Sequence, residues 1–400
     1  MVSQLRSGDL EFAADDPDAA ENWPRVMTVW RANLLGSSSK GNEYFLRHLL
    51  GTNNQVRADE TPPEQRPRDV RWRDEAPIGK LDLLASIDFR MTSTGIFSDI
   101  LFPAATWYEK EDLNTTDMHP FIHAFTPAID PPWETASDYD TFVALSKVFS
   151  RLARQHLGVR KDLVAVPLLH DTPGETKQPG GVVRDWKLGE CEPIPGVTMP
   201  NLAVVERDYG QIAAKMTALG PNVENLGTTV KGITLKSVRE VERLKEINGT
   251  VKGGIADGRP RLDQAKHACE VILALSGTTN GRVAVAGFKQ LEERTGQRLA
   301  DLAEDNEGKQ IRFTDTQSSP QSVITSWEWS GGEHGGRRYS PFTINVERLK
   351  PWHTLTGRQH YFLDHDWMAE LGEWLPAYRP PLGMSRLFGP PTSGFDGALE

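Results

Sequence analysis

The sequence predicts an α/β fold: a doubly wound, mainly parallel sheet joined to a mixed, largely helical insertion. Three observations carry that expectation. Short β-prone runs recur in the first hundred residues, at 25–30, 81–87 and 98–103, with segments between them long enough for crossover connections. The second run is apolar except for Asp82 and Ser86, the composition of a strand covered on both faces. From Ser137 onward the apolar period changes to three and four residues, the period of an amphipathic helix.

Taken in order, residues 1–21 are polar and acidic (Glu11, Asp15, Asp16, Asp18, Glu21) and read as a peripheral leader. Order is expected from Trp23-Pro24. The first strand runs into a small-residue loop, Asn33-Leu34-Leu35-Gly36-Ser37-Ser38-Ser39-Lys40-Gly41, and residues 43–50 follow as a helix stopped by Gly51. A Pro- and charge-rich connection, 60–77, precedes the second strand. Ser137 with Asp140 three residues on has the form of a helix cap; Phe142, Leu145, Phe149, Leu152 and His156 then make one stripe, and Gly158 is the stop. Residues 168–200 carry Pro and Gly throughout and predict an ordered but irregular path. Further helices are expected at 209–219, 238–247, 262–275 and 283–295, and the Pro/Gly-punctuated end, 378–400, reads as a linker. The regions are therefore a leader (1–21), an α/β region (22–157), the insertion (158–340) and a return segment with linker (341–400).

Composition removes several function classes. With 45 Lys+Arg against 55 Asp+Glu, the net charge of −10 offers no cationic surplus to displace phosphate counterions, so no nucleic-acid partner is expected, and an anionic membrane surface would repel the chain. Apolar runs such as 163–166 and 271–275 are far shorter than the roughly 20 residues of a membrane span, so no direct membrane insertion is expected. The first residues lack the pattern of a secretory signal, which suggests a cytoplasmic location. Two distant cysteines, Cys191 and Cys269, build neither a disulfide framework nor a Cys-rich zinc or iron–sulfur site.

Ligands of open α/β sheets bind at the carboxyl ends of the strands, and two polar loops fall there. In the first, 36–41, backbone N–H groups and Lys40 suit a phosphate; the spacing is not that of a P-loop, and such a turn serves equally as a plain connection. In the second, Asp88-Phe89-Arg90-Met91-Thr92-Ser93-Thr94, Arg90 suits a bidentate grip on phosphate, while Thr92, Ser93 and Thr94 suit sugar or base contacts or simply cap a helix. Asp117, His119 and His123 bring a carboxylate and two imidazoles close to Glu109, Glu111 and Asp112. Pro120 between the histidines interrupts a helical i, i+4 zinc pair, which favours polar, hydrogen-bonded loop residues over metal ligands. Gly357 allows a flat ligand to approach the backbone and Arg358 can pair with an anion; a strand end with a surface Arg is the plain alternative.

Three stretches bear a specific likeness: residues 30–41, residues 88–94 leading to Asp99 and Pro103-Ala104-Ala105-Thr106-Trp107, and the narrower block Asn114-Thr115-Thr116-Asp117-Met118-His119-Pro120-Phe121-Ile122-His123. With shorter matches at 185–191, 204–209 and 352–381, the chain resembles the alpha (catalytic) subunits of membrane-bound respiratory nitrate reductases, among the molybdopterin guanine dinucleotide oxidoreductases. The resemblance implies that Asn33, Ser37, Ser38, Lys40, Asp88, Arg90, Met91, Thr92 and Ser93 hold the dinucleotide arms of a Mo-bis(molybdopterin guanine dinucleotide) cofactor, and that Thr356, Gly357 and Arg358 lie near a pterin. It implies nitrate as substrate, an iron–sulfur beta subunit and a haem-b gamma membrane subunit as partners, and a place at the inner face of the cell membrane. No catalytic residue and no metal ligand is assigned within the chain. The family's 4Fe-4S cluster, held by one His and three Cys, its molybdenum-ligating Asp and its C-terminal barrel have no counterpart in this sequence. An internal segment that alone neither retains molybdenum nor reduces nitrate is therefore expected. The alternative is a non-catalytic scaffold that binds a nucleotide or a partner subunit without redox chemistry.

Overall fold

The computed structural model describes the chain except residues 14–15, 38–40, 56–58, 60, 67–74, 117–118, 167–184, 330, 340–341, 355–356, 360, 363–367, 370–371, 373 and 376–400. Two compact units divide it: Met1–Asp59, Arg73–Ala165 and Leu202–Pro351 in the first, and Glu60–Trp72, Val166–Asn201 and Trp352–Glu400 in the second.

The three strands expected from sequence pair in parallel, as β1 (Val26–Trp30), β2 (Leu83–Asp88) and β3 (Ile100–Pro103), in the order β1-β2-β3. Val26 to Trp30 face Leu83 to Ile87, and Ala85 to Asp88 face Ile100 to Pro103. The apolar run is the central strand: Leu84 and Ile87 are fully buried, and buried Ser86 is satisfied by the Ser98 hydroxyl at 2.6 Å. Pro103, which has no N–H to give a ladder, closes the edge strand. Where a regular helix is expected at 43–50, Tyr44–Leu49 forms a π-helix that packs Phe45, Leu46 and Leu49 on Val29 and Leu84. The acidic leader contains α1 (Val2–Ser7) and is tied to the segment that enters β2. Lys80, 1% exposed, donates to the Pro17 carbonyl at 3.2 Å and pairs with the Asp18 carboxylate.

Between β1 and the π-helix lies a single turn, α2 (Leu34–Ser37), and after β2 another, α3 (Ser93–Ile96). The long helix α4 (Asp138–His156) starts as its sequence predicts, with the Ser137 hydroxyl accepting from the Asp140 N–H at 3.1 Å. It ends at Gly158, whose φ of 63° suits glycine and whose N–H donates to Ala153 O at 2.8 Å.

The described strands do not form one continuous parallel sheet. β4 (Asp112–Thr116), β5 (His119–Phe125) and β10 (Gln321–Ser322) make an antiparallel sheet. β6 (Val159–Val166) and β7 (Asn201–Asp208) form a two-stranded sheet, as do β8 (Thr228–Val230) and β9 (Ile233–Leu235). The two-residue connections from β4 to β5 and from β8 to β9 are the physical reason, because parallel pairing needs a crossover of a dozen or more residues. The β1-β2-β3 order is also sequential, without the reversal that defines a doubly wound sheet. The fold of the described residues is therefore mixed α/β with several sheets.

Expected helices appear as Val238–Asn248, Ala265–Leu275 and Gly281–Thr295, whereas the stretch 209–219 shortens to a 3₁₀ turn, Tyr209–Gln211, and one helix, Ile212–Met216. The largest core gathers Val283, Val285, Phe288, Leu299, Leu302, Ile324, Trp327 and Ile344. Within it Gly287 lies flat against the Trp327 ring, so that a Cβ there would overlap the indole. Beside this core Lys350, 4% exposed, donates to the Trp329 carbonyl at 2.7 Å. Burial pushes the Lys350 ammonium down to about 7, with help from Lys231 and against the opposing pull of Glu328. Among the described residues no helix is long and apolar enough to cross a membrane.

Two outcomes follow. Gly287→Ala is expected to destabilise the chain by about 1–3 kcal/mol in chemical denaturation, because the indole has no room to move away. For Lys350 the folded value lies below the roughly 10.4 of an unfolded lysine, so between the two the unfolded chain holds more protons and stability rises with pH. Denaturation series between about pH 7 and pH 10 should show a rise of up to about 1.4 kcal/mol per pH unit that Lys350→Met flattens.

Candidate functional site

The carboxyl ends of β1 and β2 open into the two polar loops, and one side chain locks them together. Asn33 Oδ1 accepts from the Gly36 N–H (3.1 Å), the Thr94 N–H (3.3 Å) and the Thr94 hydroxyl (3.1 Å). The Leu35 N–H donates in turn to Thr94 Oγ1 at 3.2 Å, and Thr94 is fully buried. A segment that leaves β1 with no ladder partner thus finds its hydrogen bonds on the neighbouring loop.

Several residues expected to touch a ligand also hydrogen-bond within this scaffold. The Ser37 hydroxyl donates to Asn33 O at 2.6 Å, Thr92 Oγ1 caps α3 by accepting from the Gly95 N–H at 3.0 Å, and Asp88 Oδ1 accepts from the Arg90 N–H at 3.1 Å. Arg90, Met91 and Ser93 are exposed, Met91 to 67%. The Arg90 and Arg31 guanidinium carbons lie 4.9 and 4.6 Å from the centroid of the Phe89 ring, and Trp107 meets that ring edge-on at 5.4 Å. Ser38, Lys40 and Thr356 lie outside the described residues. Gly357 and Arg358 belong to the second unit. Gly357 has a φ of 69° and its carbonyl accepts from the Trp352 N–H at 3.0 Å, while the Arg358 carbonyl accepts from Thr354 Oγ1 at 2.8 Å.

Sequence reasoning missed the group that organises these strand ends. Asp138, 6% exposed in the first turn of α4, accepts from Trp30 Nε1 at 3.0 Å, Arg31 Nη1 at 2.9 Å and Lys110 Nζ at 3.0 Å. Lys110, also buried, pairs as well with Asp112 at 2.9 Å. Burial acts to raise the Asp138 pKa, but the Lys110 and Trp30 hydrogen bonds and the charges of Lys110 and Arg31 outweigh it and hold the carboxyl below its ordinary value. Arg31 is 107 positions from Asp138, so no local spacing announces the pair. The single local sign is the left-handed φ of 53° at Arg31, which only the fold reveals.

The histidines belong to a strand, not a loop. Ile122, 4% exposed, enters a core with Leu273, Ile311, Phe313 and Val323, so the period of two puts His119, Phe121, His123 and Phe125 together on the other face. The His119 and His123 rings stack at 6.4 Å, His123 Nε2 bonds the Asn114 amide at 2.9 Å, and His119 Nδ1 accepts from the Phe121 N–H at 3.3 Å. Asp117 lies outside the described residues. Among the described residues no group of three or more His, Cys, Asp or Glu is placed to hold a metal ion.

The donor set of the two loops, with guanidinium, hydroxyl and backbone N–H beside an exposed thioether, suits a phosphate-bearing polar ligand and not a metal ion. Comparison with known proteins gives the class of protein that the chain resembles. Residues 13–148, which contain both loops, match the model of the molybdopterin oxidoreductase family, whose members imply a molybdopterin cofactor. Residues 226–347 match the model described as nitrate reductase alpha chain, domain V. The chain is 58% identical to the nitrate reductase alpha subunit of Mycobacterium tuberculosis (strain ATCC 25618 / H37Rv) over 98% of its own length and 32% of that protein. It is 53% identical to the nitrate reductase alpha chain of Bacillus subtilis (96% and 31%) and 47% identical to the respiratory nitrate reductase 2 alpha chain of Escherichia coli (98% and 32%). The chain is thus similar to nitrate reductase alpha chains along nearly its whole length, and it spans about a third of the length of these relatives.

For Asp138 the folded pKa lies below the unfolded one. Its stabilisation is therefore fully present above about pH 4 and is lost as pH falls through the folded value. Thermal unfolding between about pH 5 and pH 2 should fall more steeply for the native chain than for Asp138→Asn, which has no such increment to lose.

Proposed function

We propose that this chain is the part of a nitrate reductase alpha subunit that cradles the guanine dinucleotide arms of a Mo-bis(molybdopterin guanine dinucleotide) cofactor. The observation that carries the reading is the pair of polar loops at the carboxyl ends of adjacent parallel strands, locked by Asn33 and Thr94, inside the molybdopterin oxidoreductase match. When bound, the cofactor supplies the redox chemistry that converts nitrate to nitrite. This chain's residues bind and orient: Arg90 pairs with a phosphate, Ser93 and the Thr92 hydroxyl donate to sugar or phosphate oxygens, and Met91 covers an apolar face of the ligand. Asn33, Ser37 and Asp88 keep these groups in place through the loop bonds, Ser38 and Lys40 extend the phosphate contacts, and Thr356, Gly357 and Arg358 approach a pterin.

In the whole protein, the three parallel strands form part of a doubly wound sheet, and the chain divides into the leader, α/β region, helical insertion and return segment proposed from sequence. Nitrate is the substrate, a 4Fe-4S cluster is held elsewhere in the subunit, and the partners are an iron–sulfur beta subunit and a haem-b gamma membrane subunit. The subunit then lies in the cytoplasm, peripheral to the inner face of the cell membrane.

Guanosine diphosphate reproduces the polar end of the proposed ligand. Calorimetric titration of the 400-residue chain should show binding that Arg90→Ala weakens about tenfold, the effect of losing one charge-assisted contact. Absence of binding, or equal affinity in the variant, would remove the cradle from these loops.

A further inference from the structure

We propose that Asp138 is a positioning residue that holds both loops of the cradle in register, an inference that rests on the cofactor reading above. Its carboxylate sits where the ends of all three parallel strands converge. Trp30, the last residue of β1, and Arg31, the first residue beyond it, both donate to it. Arg31 then reaches across to the Phe89 ring at the exit of β2, where Arg90 packs as well. Lys110, downstream of β3, donates to the same Oδ2 that Arg31 uses.

Further contacts bind the same region. The chain following β3 bridges the entrance of α4, with the Ala105 N–H donating to Ala136 O at 2.8 Å. The Trp30 ring meets Phe142 of α4 edge-on at 5.2 Å. The strand ends are thereby referred to one rigid element, the first turn of α4, although no ligand-facing residue lies on that helix.

Charge makes this arrangement specific to the carboxylate. Two cations, Arg31 and Lys110, converge on Asp138; Asp112 is half exposed and, of the two, pairs with Lys110. Removing the negative charge leaves two partly buried cations facing each other, and Arg31, already at a left-handed φ of 53°, is the one with a route to solvent. Its departure would uncouple the β1 loop from Phe89 and so from the β2 loop. Asparagine is the informative replacement, since it keeps an oxygen for the Trp30 indole but removes the charge and sets an amide donor where Oδ2 accepted from Arg31 and Lys110.

The test uses the 400-residue chain, its Asp138→Asn variant, and Glu240→Gln as a control that breaks a buried ion pair with Arg282 far from the loops in sequence. Amide hydrogen exchange and guanosine diphosphate titration are read on all three. In Asp138→Asn, amides of residues 31–37 and of 88–94 are expected to exchange at least tenfold faster together, with guanosine diphosphate affinity down about tenfold. The helix Gly281–Thr295 should keep its protection. Glu240→Gln, compared at a matched loss of thermal stability, should leave both loops and the affinity unchanged. The proposal is overturned if loop exchange in Asp138→Asn matches that of the control, or if affinity is retained while the loops loosen. Should the native chain bind no guanosine diphosphate while Asp138→Asn still frees both loops, the cofactor reading falls and the anchoring by Asp138 stands.

Discussion

A single buried carboxylate bearing three donors constrains the carboxyl end of the parallel sheet. At 6% exposure Asp138 is held ionised by Lys110, Arg31 and the Trp30 indole, and it in turn compensates Arg31 and shares Lys110 with Asp112. Taking one partner from such a buried pair typically costs about 3–5 kcal/mol, because the remaining charge is left without compensation. The three strand ends therefore stand or fall as one cluster, and the loops that leave them inherit its geometry.

The loops themselves use polar side chains in two ways. Asn33, Ser37, Thr92 and Asp88 hydrogen-bond backbone groups that have no ladder partner, whereas Arg90, Met91 and Ser93 face outward. A loop built in this way presents a fixed set of donors without a long helix behind it. That economy explains why two single-turn helices, α2 and α3, suffice between strands and loops.

Much of this was legible in the residues, and the parts that were not share a cause. The apolar run 81–87 announced the central strand because both its faces are covered, and the Ser137 cap announced α4 because capping is a contact across three residues. The hairpin β4-β5 was missed because Pro120 and two histidines obscure its alternation, and Ile122 declares itself as core only when Leu273, Ile311 and Phe313 arrive from far along the chain. In the site, the residue types of the loops pointed to a phosphate-bearing ligand. Which of them are free to meet one depended on contacts such as Asn33 to Thr94, 61 positions apart.

The parallel strands, the long capped helix and the likeness to nitrate reductase alpha chains were thus legible in the sequence alone, since each is written in short-range patterns: a strand run, a cap, a cluster of small and polar residues. Tertiary structure decided the pairing of the sheets, the burial of Lys80 and Lys350, and the convergence of Trp30, Arg31 and Lys110 on Asp138. The reason is electrostatic as much as steric. An aspartate beside a helix cap carries the same letters whether it faces water or two buried cations, and only folding removes the water that would make the two cases alike.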